Sequence, residues 1–98
     1  VSDGRRAPRF DWDEAKRAIN IAKHGLDFAS MEFFAWDLAI VRADLRHHYG
    51  EVRLIATAPL AGRIAVLVYT IRERALRIIS LRHASDREID RYAKEFQP

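Results

Sequence analysis

Three apolar runs rich in β-branched residues follow one another with room between them only for turns. They are Glu51 to Ala58, Ile64 to Ile71 (IAVLVYTI) and Leu76 to Leu81 (LRIISL). Pro59 to Gly62 and Arg72–Glu73–Arg74 read as the turns between them. A parallel pair needs a crossover of about a dozen residues or more, so strands joined this tightly must form an antiparallel meander. A fourth short apolar run, Leu38 to Val41, precedes them across a polar loop, Ala43 to Gly50 (ADLRHHYG).

Helical patterns bracket these strands. Asp13 caps a first helix, Ala15, Ala18, Ile19 and Ala22 form its apolar stripe, and Lys23 and His24 precede a stop at Gly25. A second helix is expected from Phe28 to Trp36, capped by Asp27, with apolar content high enough for burial on most sides. A third begins at Ser85. The pair Ser85 and Glu88 has capping-box spacing, and Ile89, Tyr92, Ala93 and Phe96 form one face. The expected fold is therefore α+β: two N-terminal helices, a four-stranded antiparallel sheet with helices on one face, and a C-terminal helix. Residues 1–9, with three Arg and no periodicity, read as a flexible basic arm, and 10–98 as one domain. The opposite sheet face is left free to bind something. A two-residue turn at Glu73–Arg74 would put Thr70, Arg72 and Arg77 on one face. One residue more would move Arg72 to the face of Leu76, Ile78, Ser80 and Arg82.

Composition narrows the function classes. The 98 residues contain no cysteine, which excludes disulfides, thiolate metal sites and a Cys nucleophile and fits a reducing cytoplasm. No apolar run reaches the ~18 residues of a membrane span, and no secretory signal is visible. The net charge of +3 is modest, so its distribution matters more. From Arg72 to His83 the chain places Arg72, Arg74, Arg77 and Arg82 against Glu73 alone, which suits a phosphate-binding surface. His47 and His48 are adjacent in a loop with only Asp44 near in sequence. A structural metal site wants four ligands, so no metal is assigned.

Several segments together resemble the BrnT family. The N-terminal part carries Phe10, Trp12, Asp13, Lys16, Asn20, Lys23, His24 and Gly25, followed by Phe28, Phe34 and Asp37. Glu51 and Arg53 match a Glu-x-Arg, and Tyr69, Thr70 and Arg72 match the end of the long strand. Arg77, Ile78, Ile79, Ser80, Arg82 and Ala84 match the last strand, and Glu88 and Tyr92 the closing helix. His83 stands where the pattern has Lys or Arg, and the arm before Phe10 is outside it. The resemblance implies a RelE-like fold and a toxin of a type II toxin–antitoxin pair that cleaves RNA and halts translation. It also implies neutralisation by a BrnA-like antitoxin, which alone would contact operator DNA.

RNA cleavage needs a group to take the 2′-OH proton, a group to protonate the 5′-oxygen and cations for the charged phosphorane. No cofactor is required. The catalytic candidates are His24, Glu51, Arg72, Arg77 and Arg82. The substrate-binding candidates are Lys23, Arg53, Tyr69 and His83. Each has a plainer structural reading. Lys23 and His24 complement a helix dipole, Glu51 and Arg53 form an exposed pair, Tyr69 is a half-buried strand residue and His83 a surface one. Trp12 reads as a core anchor. Two non-enzymatic readings compete: a nucleic-acid-binding module that does not cut, and a protein-interaction domain.

Overall fold

The computed structural model describes residues 9–97. In chain order they form β1 (Arg9–Asp11), α1 (Glu14–His24), a 3-10 helix (Phe28–Phe33), a short 3-10 turn (Trp36–Leu38), β2 (Ile40–Ala43), β3 (Leu54–Leu60), β4 (Arg63–Arg72), β5 (Ala75–His83) and α2 (Asp86–Lys94). The basic arm expected over residues 1–9 lies outside the described residues, apart from Arg9, which opens β1.

The α+β class holds, but two parts of the expected RelE-like arrangement are corrected. The sheet has five strands, not four, in the order β1-β5-β4-β3-β2, and it is mixed. β1 runs parallel to β5, while the other pairs are antiparallel. Three residues are too few to show a period of two, so the added edge strand left no pattern in the sequence. The expected second α-helix is instead the 3-10 segment. Phe28, Met31 and Phe34 are buried at a spacing of three while Phe33 is 63% exposed, which is the 3.0-residue period of a 3-10 helix. Phe34 is then drawn into extended geometry by a bridge to Leu60, and the Ala35 N–H donates to the Pro59 carbonyl.

Both long hairpins close on two-residue turns with left-handed backbone: Ala61 and Gly62 (φ 48° and 87°), then Glu73 and Arg74 (φ 49° and 66°). Such turns match the twist of antiparallel strands. β3 therefore runs through Pro59, expected in a turn, to Leu60. Pro59 is tolerated because β2 has already ended opposite Thr57, so no neighbour on that side needs a Pro59 N–H.

One sheet face carries the main core. Phe28, Met31 and Phe34 pack on Leu67, Tyr69, Ile78 and Leu81. The other face carries only a small cluster, Ile55, Val66 and Val68. The distribution depends on a bulge in β5. Tyr69 faces Ile78 but Val68 faces Ser80, so Ile79 is the extra residue. Opposed residues share a face: Arg77 with Thr70, Ser80 with Val68, Arg82 with Val66. The bulge thus keeps both Ile78 and Leu81 in the core and brings Arg77 and Arg82, five positions apart, to the same open face.

α1 runs along the β5 edge beyond the end of β1. The Asn20 side chain acts there as a strand residue, donating to the Leu81 carbonyl at 2.8 Å and accepting from its N–H at 3.1 Å. It also donates to the Leu26 carbonyl at 2.9 Å, which ties down the chain leaving the helix. α2 has the expected capping box between Ser85 and Glu88. None of its residues is buried. The Tyr92 hydroxyl anchors it by donating to the Leu38 carbonyl at 2.7 Å.

Candidate active site

The open face is not left bare. The C-terminal end of α1, the N-terminal end of α2 and the β2–β3 connection rim a cavity of about 710 Å³ on it. Val66, Val68, Ile55 and Ser80 form the floor, Lys23, Arg42, Arg46 and Arg82 supply the charged wall with Asp44 and Glu88, and His24 stands among them.

Each cation is placed by an identifiable local cause. Asp13 caps α1 by accepting from the Ala15 and Lys16 N–H groups, and Gly25 ends it at φ 72° with its N–H on the Ile21 carbonyl. The Asn20 clamp fixes the last turn against β5, so Lys23 and His24 project beside Arg82. Arg82 itself is held by Glu88, which accepts from both guanidinium nitrogens at 2.6 Å and 2.9 Å. Glu88 also accepts from the Ser85 N–H at 2.9 Å. These donors lower its pKa from 4.5 to about 2, with Arg82 the largest cause. One carboxylate therefore caps α2 and aims Arg82.

His24 has its pKa lowered from 6.5, first by burial and then by the charges of Lys23 and Arg82. Its neutral form is favoured, as a proton acceptor requires. The two carboxylates of the cavity are already engaged by arginines, so the imidazole is the group there free to take a proton.

The structure separates the remaining candidates. Glu51 accepts from Arg53 at 3.4 Å and Arg72 at 3.2 Å. These arginines lower its pKa, Arg72 most. Neither Glu51 nor its partners line the cavity. Arg77 shares the open face but donates to Asp11 of β1 at 2.7 Å. Tyr69 lies on the core face, 5% exposed, with its ring edge-to-face against Trp36 at 5.8 Å. His83 faces Ala65 on the core side, and its Nδ1 is buried without a partner among the described residues. Lys23, His24 and Arg82 are thus brought together, while Glu51, Arg53, Arg72, Arg77, Tyr69 and His83 stand elsewhere. Trp12 packs edge-to-face on Phe28, as a core anchor should.

Arg42 and Arg46 were missed from sequence. Arg42 faces Ile55 across β2 and β3, so alternation sends it to the open face. Arg46 is held by Asp44, whose side chain is fully buried and accepts twice at 2.8 Å. That contact holds the Asp44 carboxyl well below its usual range. The pattern Arg42-x-Asp44-x-Arg46 was the available signal: one buried acid between two arginines at the end of a strand. Among the described residues, no three His, Asp or Glu side chains gather at metal-ligating distances.

A small sheet presenting a cavity walled by lysine and arginine, with a neutral imidazole inside it, has the equipment of a phosphodiester-cleaving enzyme. Residues 12–88 match the family model for the ribonuclease toxin, BrnT, of type II toxin–antitoxin systems. Among curated proteins no relative matches. The chain is similar to the solved structure of the ribonuclease toxin BrnT from Brucella abortus, at 38% identity and a TM-score of 0.64, over 82% of this chain and 100% of that one. The chain belongs to the BrnT family of ribonuclease toxins of type II toxin–antitoxin systems.

Proposed function

We propose that the α1–β5–β2 cavity is where this ribonuclease cuts, as an endonuclease. Neutral His24 takes the proton of a ribose 2′-OH, and that oxygen attacks the adjacent phosphorus. Arg82, Arg42 and Arg46 stabilise the charge that grows on the phosphorane, each guanidinium offering paired N–H donors. Lys23, beside His24, supplies the proton to the departing 5′-oxygen. The P–O5′ bond breaks, leaving a 2′,3′-cyclic phosphate and a 5′-hydroxyl. Every step uses a protein group, so the scheme calls on no metal and no cofactor.

The observation that carries this reading is the position of His24: it lines the cavity beside Lys23 and Arg82, and its protonation is disfavoured first by burial and then by those two charges. Cutting translated RNA would halt protein synthesis. As a type II toxin the protein has an antitoxin partner. We take that partner to be a BrnA-like DNA-binding protein, through which alone the complex reaches its operator in the cytoplasm. Residues 10–98 act as the single toxin domain.

The end groups of cleaved RNA test the scheme. A 2′,3′-cyclic phosphate is expected, and substrate with a 2′-deoxy sugar at the scissile position should stay intact. A 5′-phosphate product, or cleavage of the deoxy substrate, contradicts attack by the 2′-oxygen.

A further inference from the structure

A second cavity of about 500 Å³ shares a wall with the first. Ala43, Asp44 and Leu45 line both. Its remaining lining is the rest of the β2–β3 connection, His47 to Arg53. The chemistry changes across the shared wall. The first cavity is dominated by cations, whereas the second presents aliphatic, imidazole and phenol surface, with the mutually paired Glu51 and Arg53 in its lining. Leu45 is 87% exposed and Val52 73%. Tyr49 has the Arg53 guanidinium 3.9 Å over its ring and makes a T-shaped contact with His47, ring centroids 5.6 Å apart.

Asp44 links the two cavities. Its buried carboxylate accepts from Arg46 on the cationic side, and its Oδ2 also accepts from the Tyr49 hydroxyl at 3.2 Å. The group that sets a phosphate-binding arginine therefore also sets the phenol of the neighbouring cavity. A phosphate and the base of the same or the next nucleotide have this relation: an anion beside a flat apolar surface with polar edges. Proteins take single-stranded bases on aromatic side chains, imidazoles and guanidinium planes, and read their edges with nearby donors and acceptors.

We infer that the cavity formed by Leu45, His47, His48, Tyr49 and Val52 holds a nucleobase next to the cleaved phosphate, making it a base-binding subsite of this ribonuclease. The base packs on Leu45, Val52 and the Tyr49 ring edge, and the two histidines face its polar rim. This rests on the proposal that the cationic cavity binds the scissile phosphate. It adds that cleavage needs a base, not merely a ribose-phosphate chain, at one adjacent position.

The test uses the full chain and short oligoribonucleotides carrying 2′-O-methyl at the scissile ribose, so that binding is read without cutting. Fluorescence anisotropy compares an intact oligonucleotide with abasic versions, one position at a time. For the parent protein, removing the base at one position adjacent to the scissile phosphate should weaken binding about ten- to a hundredfold. In a Val52→Ser variant, at an exposed position that lines the second cavity and not the first, that penalty should shrink several-fold while the abasic oligonucleotide binds as it does to the parent. Arg82→Ala should weaken intact and abasic oligonucleotides alike. If Arg82→Ala binds like the parent, the assignment of the scissile phosphate fails, and the inference with it. If Arg82→Ala weakens binding but no abasic position does, the base subsite alone fails. Unchanged RNA binding in the Val52→Ser variant, with lost affinity for the antitoxin, also overturns it and gives the surface to the protein partner.

Discussion

Arg82 and Glu88 meet side-on, with two N–H···O contacts of 2.6 Å and 2.9 Å joining the end of β5 to the first turn of α2. On the proposed mechanism, the pair couples catalysis to the placement of a helix that buries no residue of its own. Glu88→Gln keeps a capping-box side chain but loses the charged two-point grip on Arg82. Its kcat/KM should fall about ten- to a hundredfold, through weaker binding and slower cleavage together, because the guanidinium proposed to hold the phosphate is displaced. Adding Arg82→Ala to Glu88→Gln should cost no more than Arg82→Ala alone, since both act through one guanidinium. Single-turnover and steady-state cleavage of one oligoribonucleotide would show both effects.

The pH dependence of cleavage should follow His24. Its pKa is lowered from 6.5, so the rate should be level near neutrality and fall at acid pH with a midpoint below 6.5. Lys23 is among the charges holding that pKa down. Lys23→Gln should therefore move the acid limb to higher pH, besides lowering the rate. A limb that stays in place shows that His24 is not the titrating group.

The Asn20 clamp predicts a stability loss. Asn20→Ala leaves the Leu81 N–H and carbonyl without their side-chain partner at a buried edge, where each unsatisfied group costs on the order of 1–3 kcal/mol. Unfolding in urea should show a loss of about 2–4 kcal/mol. A change under about 0.5 kcal/mol means that water replaces the amide and the clamp is dispensable.

Acid should weaken the fold through Glu88 and Asp27. Both have folded pKa values of about 2, Glu88 chiefly through Arg82 and Asp27 chiefly through Arg17. Values depressed below the unfolded ones give stability that is fully present above about pH 4.5 and lost as pH falls toward 2. Tm should be nearly flat above pH 5 and decline below it. In Glu88→Gln the decline should be shallower.

What the sequence made legible was where local turns and caps bound an element; the apolar stripe read on α1 is not a buried face, because Ala15, Ala18, Ile19 and Ala22 are all exposed and Asn20 is the helix residue that is buried. The meander, the Ser85–Glu88 box and the Gly25 stop all rest on residues within one or two turns of each other. The failures have one cause: long-range pairing. β1 exists only because β5 offers it an edge. The 3-10 segment is bent by contacts from Phe34 and Ala35 to the far end of β3. The site was half visible for the same reason. His24 and Lys23 stand out at a helix end, but the bulge at Ile79 decides that Arg77 shares a face with Arg82, and no residue pattern announces it. Even so, the shared face did not make a shared site, because Asp11 engages Arg77 and Glu51 engages Arg72.

Two places compete as the site of cleavage: the cavity of His24 and Arg82, which the mechanism above requires, and the arginine-rich hairpin end. The most direct measurement is the cleavage rate of one oligoribonucleotide by Arg82→Ala and His24→Ala beside Glu51→Gln, each shown to be folded by circular dichroism. Cleavage in the cavity gives losses of about 10²–10³-fold for the first two and a rate within a few-fold of the parent for Glu51→Gln. The reverse pattern, with Glu51→Gln inactive and the cavity variants active, would contradict it.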